Sequence, residues 1–221
     1  MTTRRSCVPF AALAATTAAL AGCPSPNLDT TPRALPQGQI QHTVAMEVVG
    51  AAAGGVGGTL PTLPTYQMRY GLGHHMDIGA RIANMSGLGA DFKIQFVEGS
   101  VDIAVDPGFQ FYAIGISSGS EGASAVFGYA HLPLLVGFNL GPAATLFLSP
   151  GFTWGFGSFG TDSDGIAAST GAIGRLGVGA NLRVGTNFAI APELTVLKGF
   201  DSDGIVFTFG LGLQFGAMPQ H

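Results

Sequence analysis

GIVFTFGLGLQFG, residues 204–216, separates into two rows when it is read every second residue. One row is apolar or aromatic and the other is mostly small or polar: Ile205, Phe207, Phe209, Leu211, Leu213 and Phe215 against Val206, Thr208, Gly210, Gly212, Gln214 and Gly216. Successive side chains of a β-strand point to opposite faces, so the stretch predicts a strand with two unlike faces. It is long enough to cross a bilayer, which needs about 9–11 tilted residues.

The same alternation recurs along the chain between turns and predicts an all-β, antiparallel, up-and-down barrel. Ten strands are expected, with eight or twelve as the alternatives, at about 39–50, 63–72, 76–84, 88–96, 101–116, 124–139, 144–157, 168–184, 188–198 and 204–216. Residues 51–61 are expected to form a flexible loop. Pro107, Pro150 and Pro192 fall inside predicted strands, where proline normally marks an edge or a bulge. The alternation keeps its phase through each of them, so each predicted strand is treated as continuous.

The composition favours a barrel whose outer surface meets lipid. Apolar residues make up 47% of the chain and charged residues only 10%, where about 25% charged is usual for soluble domains. Glycine accounts for 35 of the 221 residues, which suits a crowded interior. The formal net charge is −4 and there is no Lys/Arg stripe, so a nucleic-acid partner is not expected.

The second row of each predicted strand decides which face is outside. In a soluble sandwich or a lipocalin-like barrel this row would face water and be rich in Lys and Glu. Here it is mainly Gly, Ala, Thr and Ser, with isolated charges of both signs that would balance one another in a narrow lumen. The pattern is therefore apolar outside and polar inside, as in outer-membrane barrels. The candidate lumen residues are Arg69, Arg81, Asp91, Lys93, Asp102, Asp106, His131, Arg175, Arg183 and Glu193.

The lengths of the predicted connections suggest an orientation. Outer-membrane barrels have short periplasmic turns and longer outer loops. If the first strand starts in the periplasm, the longer connections fall outside, apart from the short one at 85–87. Both chain ends are then expected on the periplasmic side. Since backbone groups in lipid must all be paired, the strands must close into a barrel.

The beginning of the chain is expected to be a targeting segment. Arg4 and Arg5 precede a short apolar run at 8–19, which is followed by Leu20-Ala21-Gly22-Cys23. This order resembles the signal of bacterial lipoproteins. The resemblance implies a signal peptide at 1–22 and a lipid on Cys23, then a proline-rich tether at 23–38 and a barrel at 39–221. The alternative is an ordinary secretory signal with Cys23 present by chance.

Residues 66–97 resemble the early hairpins of small bacterial outer-membrane β-barrel proteins. The resemblance lies in Arg-Tyr-Gly-Leu at 69–72, Asp-Ile-Gly at 77–79 and Asp-Phe-Lys at 91–93. It implies the bacterial outer membrane as location, with outer-membrane lipid and the barrel-assembly machinery as partners. One departure concerns the end of the chain. The last strand of such proteins usually ends on an aromatic residue, whereas Phe215 is followed here by GAMPQH.

The polar residues give weak evidence for catalysis or metal binding. His131 is the one histidine expected in an inward row, but no Ser or acid lies at a matching hairpin spacing. His74 and His75 fall in a turn, where adjacent side chains diverge. The repeated Asp-Ser-Asp-Gly stretches at 162–165 and 201–204 suit ordinary turns as well as Ca²⁺ ligands. No catalytic residue, metal or cofactor is therefore assigned.

The function expected from the sequence is a non-enzymatic envelope role, either structural or surface-exposed. The alternative is a narrow pore for small solutes, because many inward glycines leave room in a ten-stranded barrel. A remote alternative is an outer-membrane lipid-modifying enzyme that uses His131.

Overall fold

The computed structural model describes residues 25–53, 56–83, 87–118, 121–161, 167–200 and 204–219. The predicted signal peptide and Cys23 lie outside these residues. Twelve strand segments are present, and every pairing between them is antiparallel. In chain order they are β1 (Ile40–Ala53), β2 (Val56–Pro61), β3 (Thr65–Gly73), β4 (Met76–Ala83), β5 (Gly87–Val97), β6 (Val101–Val105), β7 (Gly108–Ser118), β8 (Glu121–Asn139), β9 (Ala144–Thr161), β10 (Ala167–Arg183), β11 (Phe188–Gly199) and β12 (Ile205–Gly216).

The twelve segments form a closed barrel of ten strands. β2 and β3 pair with successive parts of β1, so together they occupy one strand position. β6 and β7 likewise lie between β5 and β8, interrupted at Asp106-Pro107. β12 pairs with β1 from Gln41↔Gly216 to Ala52↔Ile205, which closes the ring. The predicted ten-stranded antiparallel barrel is confirmed.

Two local features differ from the sequence prediction. Residues 51–53 and 56–61 pair in a hairpin, where a flexible loop was expected. Cross-strand pairing compensates for the low strand propensity of this Gly- and Ala-rich stretch. At Pro107 the expected continuous strand is broken into β6 and β7, because proline cannot donate to the ladder. Pro150 and Pro192, in contrast, lie within β9 and β11.

The wall of the barrel has two opposite faces. Large apolar side chains cover the outside, including Phe209 (51% exposed) and Trp154 (46% exposed). The alternate residues point into the lumen and are mostly buried. An exposed apolar surface of this extent is far larger than the patches that soluble monomers carry, and it suits contact with lipid. Among the described residues there is no helix with the length and apolar character needed to cross a membrane.

The two ends of the barrel differ. One end, called here the turn end, carries the connections after β3, β5, β8 and β10, together with the start of β1 and the end of β12. The β3–β4 turn is a tight reversal in which His74 and His75 both have positive φ, at 53° and 59°. The other end, called here the loop end, carries the connections after β1, β4, β7, β9 and β11, and β8, β9 and β10 extend furthest toward it.

The stretch predicted as a tether lies inside the barrel. Residues 25–35, called here the lumen segment, are all buried, and their hydrogen-bond partners come from inward-facing residues of the wall. The segment joins β1 through a turn at Gly38, whose φ is +76°. The prolines make this stretch extended, as the sequence indicates. Many of its backbone N–H and C=O groups form hydrogen bonds with the wall, where a free tether would bond to water. The predicted domain division at residue 38 therefore separates two parts that pack together.

Candidate functional site: the occupied lumen

The inward-facing charges lie around the lumen segment. Nine of the ten candidate residues are at least nine-tenths buried, and Arg183 is half-buried at the turn end. Their positions follow from the side-chain alternation of the strands that carry them. The nine buried residues are Arg69, Arg81, Asp91, Lys93, Asp102, Asp106, His131, Arg175 and Glu193.

A compact acid–base cluster is centred on Arg69. Its guanidinium lies 2.6 Å from an Asp77 carboxylate oxygen, 2.6 Å from Asp91 and 3.2 Å from Asp106. Lys93 adds a second cation, 3.1 Å from the other Asp77 oxygen. The cluster ties β3, β4 and β5 to the break between β6 and β7. Charges buried this deeply are tolerated only when they are paired and hydrogen-bonded.

Four residues of the site were not among the sequence candidates. Asp77 is fully buried between Arg69 and Lys93, and Glu47 is buried beside the lumen segment. Both have the parity of inward residues in their strands, which is the signal that could have identified them. Tyr112 and Tyr129 also point inward and are almost completely buried. Nothing in the sequence indicated that all four surround a second piece of chain.

The lumen segment enters at the turn end through backbone and side-chain contacts. Gly38 N–H donates to the Gly71 carbonyl (2.9 Å), and Gly71 N–H donates to the Gln39 carbonyl (2.9 Å). Arg33 makes a two-point contact with Asp102, at 2.8 and 3.0 Å. The Ala34 N–H donates to the Gln95 side chain at 2.8 Å. These hydrogen bonds and the ion pair attach this end of the segment to the wall.

Glycine at position 71 is required by the close approach of the segment. A Cβ on Gly71 would collide with the carbonyl oxygen of Pro36 and lie 2.7 Å from that of Leu35. Because these are backbone atoms, the segment would have to move. A side chain at position 71 would therefore act as a wedge between β3 and the segment.

Cations of the wall hold the carbonyl groups at the middle of the segment. Arg81 donates to the carbonyls of Asn27 (2.5 Å) and Leu28 (2.7 Å). Lys93 donates to the Thr31 carbonyl at 2.8 Å. Hydrogen bonds to charged groups are stronger than neutral ones. The wall thus fixes the direction of the main chain here.

A carboxylate and an amide hold the same stretch from the opposite wall. The N–H groups of Leu28 and Asp29 donate to one oxygen of Glu193, at 3.0 and 2.9 Å. Gln214 donates to the Asp29 carbonyl at 2.8 Å. Donors and acceptors of consecutive residues are therefore satisfied from β11 and β12, where a β-ladder would normally satisfy them.

Ser25 lies at about mid-height of β8, enclosed by polar side chains. Its N–H donates to the Tyr112 hydroxyl (3.1 Å), and the Tyr129 hydroxyl donates to its carbonyl (2.6 Å). Its hydroxyl donates to Glu47 at 2.5 Å. The segment thus runs from the turn end to the middle of the barrel. It occupies the half of the lumen nearest the turn end, within the space that the sequence left open for a pore.

His131 points into the lumen, and no described side chain is hydrogen-bonded to it. It is buried, and its ring lies 5.9 Å from that of Tyr129. The described ranges contain no group of three or more His, Cys, Asp or Glu side chains placed to bind a metal ion. Most of the two Asp-Ser-Asp-Gly stretches lies outside those ranges.

Comparison with known proteins identifies the architecture. No protein-family model matches the chain, and no curated protein matches it. The outer membrane protease OmpT from Escherichia coli is 10% identical, with a TM-score of 0.51 over 80% of this chain and 96% of that one. The fold is that of an outer-membrane β-barrel. The transport unit of the autotransporter AIDA-I from E. coli is 8% identical, with a TM-score of 0.50 over 91% of this chain and 97% of that one.

A third similar structure is Ail, the attachment invasion locus protein of Yersinia pestis. It is 14% identical, with a TM-score of 0.47 over 81% of this chain and 99% of that one. Identities this low concern the fold of the barrel alone.

Proposed function

We propose that the protein is a non-enzymatic barrel of the bacterial outer membrane, closed by its own N-terminal segment, with a structural or surface-exposed role in the envelope. The observation that carries the proposal is the burial of residues 25–35 within the lumen. Among the described residues, this segment and the wall side chains that bind it occupy the half of the lumen nearest the turn end. What remains for interaction is the apolar outer face, which meets lipid, and the two ends.

A narrow pore is the second candidate, and one observation favours it. The lumen segment is not a strand of the barrel, and it joins β1 through the exposed residues Gln37 and Gly38. Its withdrawal would leave the ladder of β1 with β3 and β12 intact. The pore would then be lined by the charges that now hold the segment. The protein would be closed at rest and conducting once the segment has left.

Conductance in a planar bilayer tests both candidates. We expect the intact protein to be silent and Gly71→Val to give discrete current steps, because the wedge displaces residues 35–36. Gly58→Val is the matched control. It places the same side chain on β2, where a Cβ has no neighbour within 4 Å, and it should stay silent. Current steps from the intact protein would contradict the closed state. If the Gly71→Val protein is folded and its lumen segment is displaced but it gives no current steps, the pore is contradicted.

We propose separately that Cys23 carries a lipid in a second, anchored state of the protein, on the resemblance of Leu20-Ala21-Gly22-Cys23 to a lipoprotein signal; the closed barrel is the state in which Cys23 is not anchored. Ser25 is held at mid-height of β8, and the two intervening peptide links reach at most about 7 Å. An acylated Cys23 in the periplasmic leaflet therefore requires the segment to leave the lumen. The anchored and closed states would exclude each other. The mass of the mature N-terminal peptide tests the modification, and an unmodified Cys23 would refute it.

A further inference from the structure

We propose that the lumen is a binding site for extended peptide, which recognises the main chain and accepts segments other than its own. The expected ligand carries an apolar residue at the place of Leu28 and a basic residue five positions later, at the place of Arg33. This inference goes beyond the envelope role, since it concerns what the lumen can bind.

The first argument is that the wall contacts the main chain of the segment along its length. Carbonyls of consecutive residues accept from Tyr129, Arg175, Arg81 and Gln214. Backbone N–H groups donate to Tyr112, Glu193, Gln95 and Asp77. Every polypeptide carries these groups. Positions 26 and 32 are prolines, which lack an N–H and donate nothing there.

The second argument is that two buried polar side chains in the middle of the segment form no close hydrogen bond with the wall, although Asn27 lies beside Glu47 and Asp29 faces the charge of Arg81. Asn27 and Asp29 are buried, at 0% and 1% exposure, and neither side chain has a hydrogen-bond partner among the described residues. Burying a polar group without a partner is unfavourable. A site selected for this one sequence would pair them. The wall therefore reads the main chain at these positions and tolerates other side chains.

The third argument is that four side chains of the segment are recognised by the wall: the hydroxyls of Ser25 and Thr30 pair with Glu47 (2.5 Å) and Lys93 (3.0 Å), and Leu28 and Arg33 make the remaining contacts. Leu28 packs with Ala104 and Leu135 in a small apolar cluster. Arg33 makes its two-point contact with Asp102, whose carboxylate also accepts from Asn139 at 2.7 Å. An apolar contact near the middle and an ion pair near the turn end are enough to set the register of an extended peptide. These contacts define the ligand class.

The experiment uses the full-length folded protein with a protease recognition sequence inserted between Gln37 and Gly38, in the exposed turn. After cleavage, fluorescent synthetic peptides compete for the lumen, and binding is measured by anisotropy. The first peptide has the native sequence 25–37. The second carries Asn27→Ala and Asp29→Ala. The third is scrambled but keeps Ser25, Leu28, Thr30 and Arg33 in place, and the fourth carries Leu28→Asp and Arg33→Glu.

We expect the first three peptides to bind with dissociation constants within about tenfold of one another, because the main-chain bonds are common to all. The fourth should bind about 100-fold more weakly, since it loses the ion pair and buries an unpaired charge. Resistance of the barrel to SDS at room temperature, before and after cleavage, is the check that it stays folded.

Two results would overturn the proposal. If the scrambled peptide fails to bind while the native one binds, the lumen is specific for its own sequence. If the cleaved native segment stays bound under a large excess of every peptide, the lumen is a permanent part of the fold and not a site for exchange. Neither result depends on whether the protein conducts ions, so the proposed envelope role is tested separately.

Discussion

Arg69→Gln is expected to abolish stable folding of the barrel, the largest effect of any single substitution considered. The change leaves Asp77, Asp91 and Asp106 buried without the guanidinium that lies within 3.2 Å of all three. Removing one partner of a buried ion pair costs about 3–5 kcal/mol, and here one cation serves three carboxylates. The measurement is the free energy of unfolding in urea, with the barrel inserted in lipid vesicles.

The matched control for Arg69→Gln removes a charge from an exposed ion pair. Glu98 is about half exposed at the turn end, where it lies 3.2 Å from the exposed His75 and 3.6 Å from Arg33 of the lumen segment. Glu98→Gln should lower the free energy of unfolding by less than about 1 kcal/mol. Adding Asp106→Asn to Arg69→Gln should restore part of the loss. A loss below about 1 kcal/mol for Arg69→Gln alone would contradict the role assigned to the cluster.

Arg81→Gln is expected to release the lumen segment while the barrel remains folded. Arg81 donates to the carbonyls of Asn27 and Leu28, and hydrogen bonds to a charged donor contribute about 1.5–3 kcal/mol each. Arg33 is the one trypsin site within residues 25–38, and it is buried in the intact protein. Cleavage after Arg33 therefore reports release. We expect full protection in the intact protein and rapid cleavage in Arg81→Gln.

Arg183→Gln is the control for this prediction. Arg183 also faces inward, but it lies on β10 and donates to the Pro219 carbonyl, and no hydrogen bond joins it to residues 25–35. Cleavage after Arg33 should stay slow in this variant. Equal protection of Arg33 in Arg81→Gln and in the intact protein would show that Arg81 does not hold the segment.

Much of the barrel could be predicted because its wall obeys a single rule. Side chains alternate in a strand. Phe207 and Leu211 on one face, with Thr208 and Gly210 on the other, therefore indicate that the stretch is a strand and which of its residues point outward. The same parity places the buried charges in the lumen without any knowledge of their contacts. At Asp106-Pro107 the proline interrupts the hydrogen-bond ladder, although the alternation of side chains keeps its phase through the break.

The occupant of the lumen could not be predicted, because residues 25–35 follow no period. Their prolines indicate an extended chain, which suits a free tether as well as a bound segment. The inward glycines carried part of the missing information. They leave space, and a Cβ at Gly210 would lie 2.5 Å from the Asn27 amide nitrogen. Glycine shows that something comes close, but it does not show which part of the chain.

A disulfide between the N-terminal segment and the wall tests directly whether the segment occupies the lumen. A Cβ at Gly210 would lie 3.5 Å from Asn27 Cγ, the atom whose place a cysteine sulfur at position 27 would take. This is close to the separation that a disulfide needs. The test protein carries Asn27→Cys and Gly210→Cys, with Cys7→Ser, Cys23→Ser and the protease site between Gln37 and Gly38.

The protein is oxidised in the membrane and then cleaved. If the segment occupies the lumen, it stays attached to the barrel in denaturing gels and is released by reductant. Asn27→Cys paired with Leu176→Cys, which lies on the outer face, should not cross-link. Release of the segment without reductant from the Gly210→Cys protein, with the barrel folded and both thiols free, would contradict the occupied lumen.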